Sequence, residues 1–186
     1  MSVKIHNLKP IVAATLLTVT FSLPAMGENA LPDDLLGALK QSEPVEARKL
    51  ADEIVLRWAQ SGSPAMDLLL KRGQDAADRG DFNQALGHLT ALTDHAPDFA
   101  EGWHMRASVY FRTDELGLAL HDLEQTLRLN PNHFPALYGF GVIMEQLGKP
   151  DLAYKAYQLA LAIHPHYEEA QEAMKRLQVQ VEGRDL

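Results

Sequence analysis

Histidines are the side chains of this chain with the clearest capacity for metal or acid–base chemistry. His164 and His166 flank Pro165, and His133 sits just after Pro131 in a similar stretch. Neutral imidazole is the commonest metal ligand, so a surface zinc or copper site built from His133, His164 and His166 is the sharpest chemical reading. Two histidines across a proline need not converge, however, and no carboxylate stands at a fixed ligand spacing from them. His95 and His164 fall at the ends of apolar-periodic stretches, where an imidazole suits the negative end of a helix dipole. The reading adopted is therefore no metal and no cofactor, with a histidine-based metal protein as the alternative. Carboxylate pairs such as Asp122 with Glu124, or Glu168 with Glu169, could serve as acid and base only in a cleft that shifts their pKa values. Their spacing puts them on solvated helix faces. There is no Gly-x-Ser-x-Gly elbow and no glycine-rich phosphate loop. The chain has no Cys, which removes disulfides, thiolate sites and thiol nucleophiles together. No catalytic residue is assigned, and the chain is not expected to be an enzyme.

The elements that would position any site are set by a period of 34 residues. Sliding the chain by that interval aligns Ala85, Ala119 and Ala153, and likewise Pro97, Pro131 and Pro165. Gly73, Ala107 and Gly141 form a small-residue column, while Leu89, Leu123 and Tyr157 form a large one. Leu69, Trp103 and Leu137 form another large column. Small residues let two helices approach closely. The prolines lack a backbone N–H and stop the second helix of each unit. Gly80 and Gly148 suit the left-handed residue that ends the first helix, with Asp114 in the same column. A period of this length, with large, small and Pro positions in this order, resembles the tetratricopeptide repeat, a helix–turn–helix unit. The resemblance runs from Met66 to Tyr167 without insertion or deletion.

That resemblance implies an all-α, right-handed α-solenoid, in which no unit buries its apolar face alone and stability comes from stacking neighbours. Three repeats are expected at 66–99, 100–133 and 134–167. In the family the first helix of each repeat lines a concave groove that binds other proteins. The corresponding residues here are Leu70, Lys71, Gln74, His104, Met105, Ser108, Phe111, Tyr138, Val142 and Glu145. A subset of the family clamps a partner's C-terminal carboxylate with Lys, Asn and Arg; those positions here are Leu70, Gln74, Met105, Pro135 and Gly139, which cannot do so. A column usually filled by Leu carries Arg72 and Arg106. Their stems are expected to pack while their heads reach water.

The flanks carry the remaining expectations. Lys4 and Lys9, an apolar run from Ile11 to Leu23, Pro24 and Ala25-Met26-Gly27 read as a secretory signal peptide at 1–27, with a retained inner-membrane anchor as the alternative. The apolar run is shorter than the ~20 residues a span needs. Removing 1–27 takes away two Lys and no acid, which changes the formal charge from −8 to −10. Such a chain lacks the basic face that nucleic acid or anionic lipid requires. Residues 28–65 read as a diverged helix pair capping the N-terminal end of the array, with Leu35, Leu36 and Leu39 on one helix and Leu50, Ile54, Val55 and Trp58 on the next. Residues 168–186 read as a C-terminal capping helix and tail, with Ala170, Met174, Leu177 and Val181 facing the last repeat. The function expected is a periplasmic protein-binding adaptor that holds a peptide or helical segment of another envelope protein. A self-assembling structural protein, with the N-terminal pair docking a second copy, is the alternative.

Overall fold

The computed structural model describes residues 33–182, so the expected signal peptide lies outside the described residues. Among these, all regular structure is helical: α1 (Asp33–Gln41), α2 (Pro44–Trp58), α3 (Pro64–Asp78), α4 (Phe82–His95), α5 (Ala100–Arg112), α6 (Leu116–Leu129), α7 (Phe134–Gln146), α8 (Pro150–Ile163) and α9 (Glu168–Glu182). Helices α3 to α8 form three consecutive hairpins, and α9 packs on the last of them, giving an α-solenoid.

The aligned columns have direct physical causes. A Cβ placed on Gly73 would stand 2.6 Å from Leu89 Cγ, and one on Gly141 would stand 2.4 Å from Tyr157 Cε1. Each small residue thus makes room for the large residue 16 positions on, across the helix–helix contact. Ala85, Ala119 and Ala153 are completely buried at the same contact from the second helix. Each hairpin turn contains one left-handed residue: Gly80 (φ 78°), Asp114 (φ 64°) and Gly148 (φ 68°). Pro97 and Pro165 add a feature that the period also repeats. Their carbonyls accept hydrogen bonds from Trp103 Nε1 at 2.9 Å and from Gln171 Nε2 at 2.7 Å. Trp103 and Gln171 occupy one column, two repeats apart.

Arg106 departs from expectation. Its head does not reach water; it forms a two-pronged ion pair with Asp122, Nε to Oδ2 at 2.6 Å and Nη2 to Oδ1 at 2.9 Å. Nη1 also donates to Thr93 Oγ1 at 2.7 Å, and the guanidinium lies over the Trp103 ring. Asp122 is accordingly buried, not solvated as its position on an apparently polar face suggested. A Leu at position 106 would leave that carboxylate unpaired, so Arg106 and Asp122 must be read together. Arg72, in the same column, is exposed.

The N-terminal pair also departs from expectation. It does not cap repeat one. Leu39, Ala47, Ala51 and Ile54 share a core with Phe134, Tyr157, Ala170 and Leu177, whereas repeat one keeps a separate core around Leu70, Leu89 and Leu92. Trp58 stacks on His133 with ring centroids 4.8 Å apart, and Arg48 reaches Glu168 at 2.5 Å. Helix α2 therefore runs back along the edge where the first helices of the repeats begin, from the start of α7 to the start of α9. Trp58 falls, at the 34-residue offset, in the column of Leu92, Thr126 and Ala160, where it would be the largest member, and its aromatic partner lies at the repeat junction.

At the other end, α9 buries Ala170, Ala173 and Leu177 on the array as its spacing implies; the Val181 side chain lies outside the described residues.

Candidate functional site

Between α5 and α7 the inner face of the solenoid opens into a groove of about 300 Å³. His104, Ser108 and Phe111 line it from α5, and Tyr138 and Val142 from α7. The floor is Ala107, Leu123, Gly139 and Ile143. Helical spacing explains the walls: 104, 108 and 111 recur at four and three residues, and 138 and 142 at four, so each set shares one face. Gly139 keeps the floor open, since its nearest neighbour would be Leu123 at 3.7 Å. Five of the ten residues assigned from the repeat pattern thus come together here.

The other five lie elsewhere. Leu70 is buried, because it shares a stripe with Gly73 and Ala77 that faces α4. Met105 packs on the same repeat-one core. Lys71 is exposed and pairs with Asp75 at 2.9 Å, and Gln74 is half-buried. Glu145 accepts hydrogen bonds from the Tyr157 hydroxyl at 2.6 Å and from Arg176 at 2.9 Å, so it ties α7 to α8 and α9. Tyr138 is also partly committed, with its ring 5.5 Å from Tyr157 and 5.4 Å from Tyr167. Phe111 is the large side chain of the groove that remains exposed.

Behind His104 lies a polar cluster that residue-type reasoning missed. Glu101 is buried and receives His133 Nε2 at 3.0 Å and His104 Nδ1 at 3.4 Å. Their donor atoms lie within 4.8 Å of one another, near enough to raise the question of a metal. Proton placement answers it. His133 Nδ1 accepts the Ala136 amide at 3.2 Å, capping α7, so the ring proton sits on Nε2 and is donated to Glu101. A metal on Nε2 would require the opposite arrangement, with Nδ1 donating. The trio is a hydrogen-bonded cluster joining the first turns of α5 and α7. Burial pushes the Glu101 carboxyl up, but His104 and His133 more than offset that and hold it at about 2. Burial, with the nearby His104, pushes His133 down, so it is neutral. The signal was present in the period, which brings the start of one first helix beside the next.

His133 therefore does not join His164 and His166. His164 is buried with its ring parallel to Tyr167 at 5.5 Å and edge-on to Phe134 at 5.2 Å. No helix among the described residues is long and apolar enough to cross a membrane.

Comparison with known proteins bears on this geometry. A tetratricopeptide repeat model matches residues 70–122 and 104–168. A TPR repeat-containing protein of Rhizobium etli is 33% identical over 152 residues, covering 81% of this chain and 74% of that one. Among solved structures, the first TPR of Spaghetti (RPAP3) bound to an HSP90 peptide superimposes with a TM-score of 0.61 at 24% identity, covering 64% of this chain and 94% of that one. MamA gives 0.53 at 22% identity, over 78% of this chain and 98% of that one. Repeat domains of this kind are generally non-catalytic scaffolds. The periodic columns, the stacked hairpins and the relative at 33% identity establish that this chain belongs to the tetratricopeptide repeat family.

Proposed function

We propose that the chain is a periplasmic scaffold that holds an apolar extended or helical segment of another envelope protein in the groove between α5 and α7. The observation that carries this is Phe111, 37% exposed over a groove whose walls and floor are mostly apolar. An aromatic side chain left open on a rigid helical wall is the type of anchor that dominates binding energetics. The groove lacks the cations needed to clamp a terminal carboxylate, because Leu70, Gln74, Met105, Pro135 and Gly139 stand at those positions. An internal apolar segment suits it better than a charged tail such as the HSP90 peptide held by its structural neighbour. The acidic composition disfavours nucleic acid and anionic lipid. Export rests on Lys4, Lys9, the apolar run and Ala25-Met26-Gly27. A second copy of the chain has less support as occupant, since the N-terminal pair spends its apolar face within its own chain.

The test is capture from periplasmic extract by the wild-type chain and by Phe111→Ala. Capture should weaken by about 1–3 kcal/mol, with an unchanged denaturation midpoint. Undiminished capture by a folded variant would move the functional face elsewhere. Mass spectrometry of native protein should find its N-terminus at or within a few residues of Glu28; an intact Met1 or Ser2 in the membrane fraction would refute export.

A further inference from the structure

Helix α2 turns one stripe inward and leaves another uncovered. Ala47, Ala51 and Ile54 are buried in the core shared with α7 to α9. On the opposite side, Val45, Lys49, Asp52 and Leu56 recur at four, three and four residues, so they share one outward face. Val45 is 71% exposed and Leu56 is 68% exposed, the two most open large apolar side chains among the described residues. They stand about 16 Å apart along the helix axis, with the two charges between them. The chain carries a net charge of −8, yet α2 is neutral: Glu46, Asp52 and Glu53 balance Arg48, Lys49 and Arg57. Between the apolar residues the bases at 48 and 49 precede the acids at 52 and 53. That is the less favourable order for pairs four residues apart within one helix. Contacts within the chain do not account for it. Lys49 with Glu46, Arg57 with Glu53 and Arg48 with Glu168 are exposed pairs of little worth, and Asp52 pairs with no cation among the described residues.

The outward stripe is complementary to itself. Residues 45 and 56, 48 and 53, and 49 and 52 are each placed symmetrically about the midpoint between Leu50 and Ala51. A second copy of α2 laid antiparallel on this face sets Val45 against Leu56 at both ends. It also sets the bases at 48 and 49 against the acids at 52 and 53, twice over. A parallel copy in register would set like charge against like. A two-fold contact requires this property, because one patch supplies both sides of it. We infer that α2 is a homodimerisation helix, pairing antiparallel with α2 of a second copy through Val45, Leu56 and the reciprocal charges of Lys49 and Asp52. The inner stripe of the N-terminal pair is covered within its own chain; the dimer uses the outer one. A single helix pair covers little area, so the dimer is a weak one. The stripe shares no residue with the groove between α5 and α7, so the two surfaces can be tested separately.

The experiment is sedimentation equilibrium, over a range of concentrations, of the chain in the form the cell holds. The wild-type chain should show a monomer–dimer equilibrium that weakens as salt rises. Lys49→Glu sets acid against acid, and Asp52→Lys sets base against base. Each alone should weaken the dimer at least about tenfold. Mixed one to one, the two variants should form a heterodimer close to the wild-type dimer in strength, because the reversed charge of one chain then faces the reversed charge of the other. Leu56→Ser should weaken the dimer by a similar factor, and neither charge variant should rescue it. Positions 49, 52 and 56 are exposed, so the circular dichroism of all three variants should match the wild type. Phe111→Ala should leave the equilibrium unchanged. A wild-type chain that stays monomeric up to about 1 mM, an undiminished dimer in both charge variants, or a mixture that fails to recover would each overturn the inference. Loss of the dimer in Phe111→Ala would overturn it in favour of a contact through the groove.

Discussion

At the scale of single residues, buried charge is the main departure from the simple repeat pattern, and its energetics can be tested. Asp122 is buried with its only ionic partner at Arg106 among the described residues. Removing one member of such a pair strands the other, typically at a cost of about 3–5 kcal/mol. Asp122→Ala should therefore lower stability by that order in urea denaturation, whereas the double variant Arg106→Leu, Asp122→Leu should recover most of the loss. A mild effect of Asp122→Ala would show that the pair is solvated. The two buried histidines, His133 and His164, yield a second outcome. His133 and His164 have pKa values below their ordinary 6.5, so below that pH the unfolded chain takes up protons the native chain does not. Stability then falls as pH falls through that region. Glu101 is held at about 2 against an ordinary 4.5, so the unfolded chain again binds the extra proton, and stability falls further between those values. His133→Asn retains a capping acceptor for α7 and removes one titration. It should reduce the loss of urea midpoint between about pH 7.5 and 5.5. An unreduced loss would assign the effect to other groups.

At the scale of the elements, the sequence was most legible where a column records a steric need. Gly141 and Tyr157 are a matched pair, and the period alone identified both members. Gly141→Ala would drive a methyl to 2.4 Å from a ring atom and should cost about 1–3 kcal/mol through overpacking. Gly139→Ala, two residues away, meets nothing nearer than 3.7 Å and should be neutral or stabilising, since Ala is the better helix former. Equal effects in thermal denaturation would contradict the assigned seam. Legibility failed where a residue's role depends on a partner in another helix. Arg106 looked like a snorkelling cation because its Asp lies on the next helix, 16 positions away. Leu70 looked like a groove residue because repeat columns name a helix face only approximately. Its spacing from Gly73 and Ala77 puts it on the stripe that faces α4. Residues 104, 108 and 111 come from the same repeat columns, and they share one wall of the groove.

At the scale of the whole molecule, α1 and α2 change how the array is held together. A repeat array is normally coupled only between neighbours, so each end can open independently. Here a helix joined in sequence to repeat one is packed against repeat three and α9, closing contacts over a long sequence separation. The sequence could not reveal this, because the apolar stripe of an amphipathic helix says that it must be covered but not by what. Trp58 was the one clue, a residue too large for its repeat column. The two ties at its ends differ in worth. Arg48 and Glu168 are both exposed, and such pairs contribute about 0–1 kcal/mol. Trp58 on His133 is half-buried, and an aromatic contact of this kind adds about 0.5–1.5 kcal/mol beyond its area. Trp58→Ala should therefore loosen the brace where Arg48→Ala does not. Hydrogen exchange offers the discriminating readout, because local opening is reported segment by segment. In Trp58→Ala, amides of α1, α2 and the first turns of α7 and α9 should exchange faster, while those of α3 and α4 remain protected. Were the helix pair a cap on repeat one, the loss would instead appear in α3 and α4, directly after it in the chain, and the edge of repeat three would be untouched.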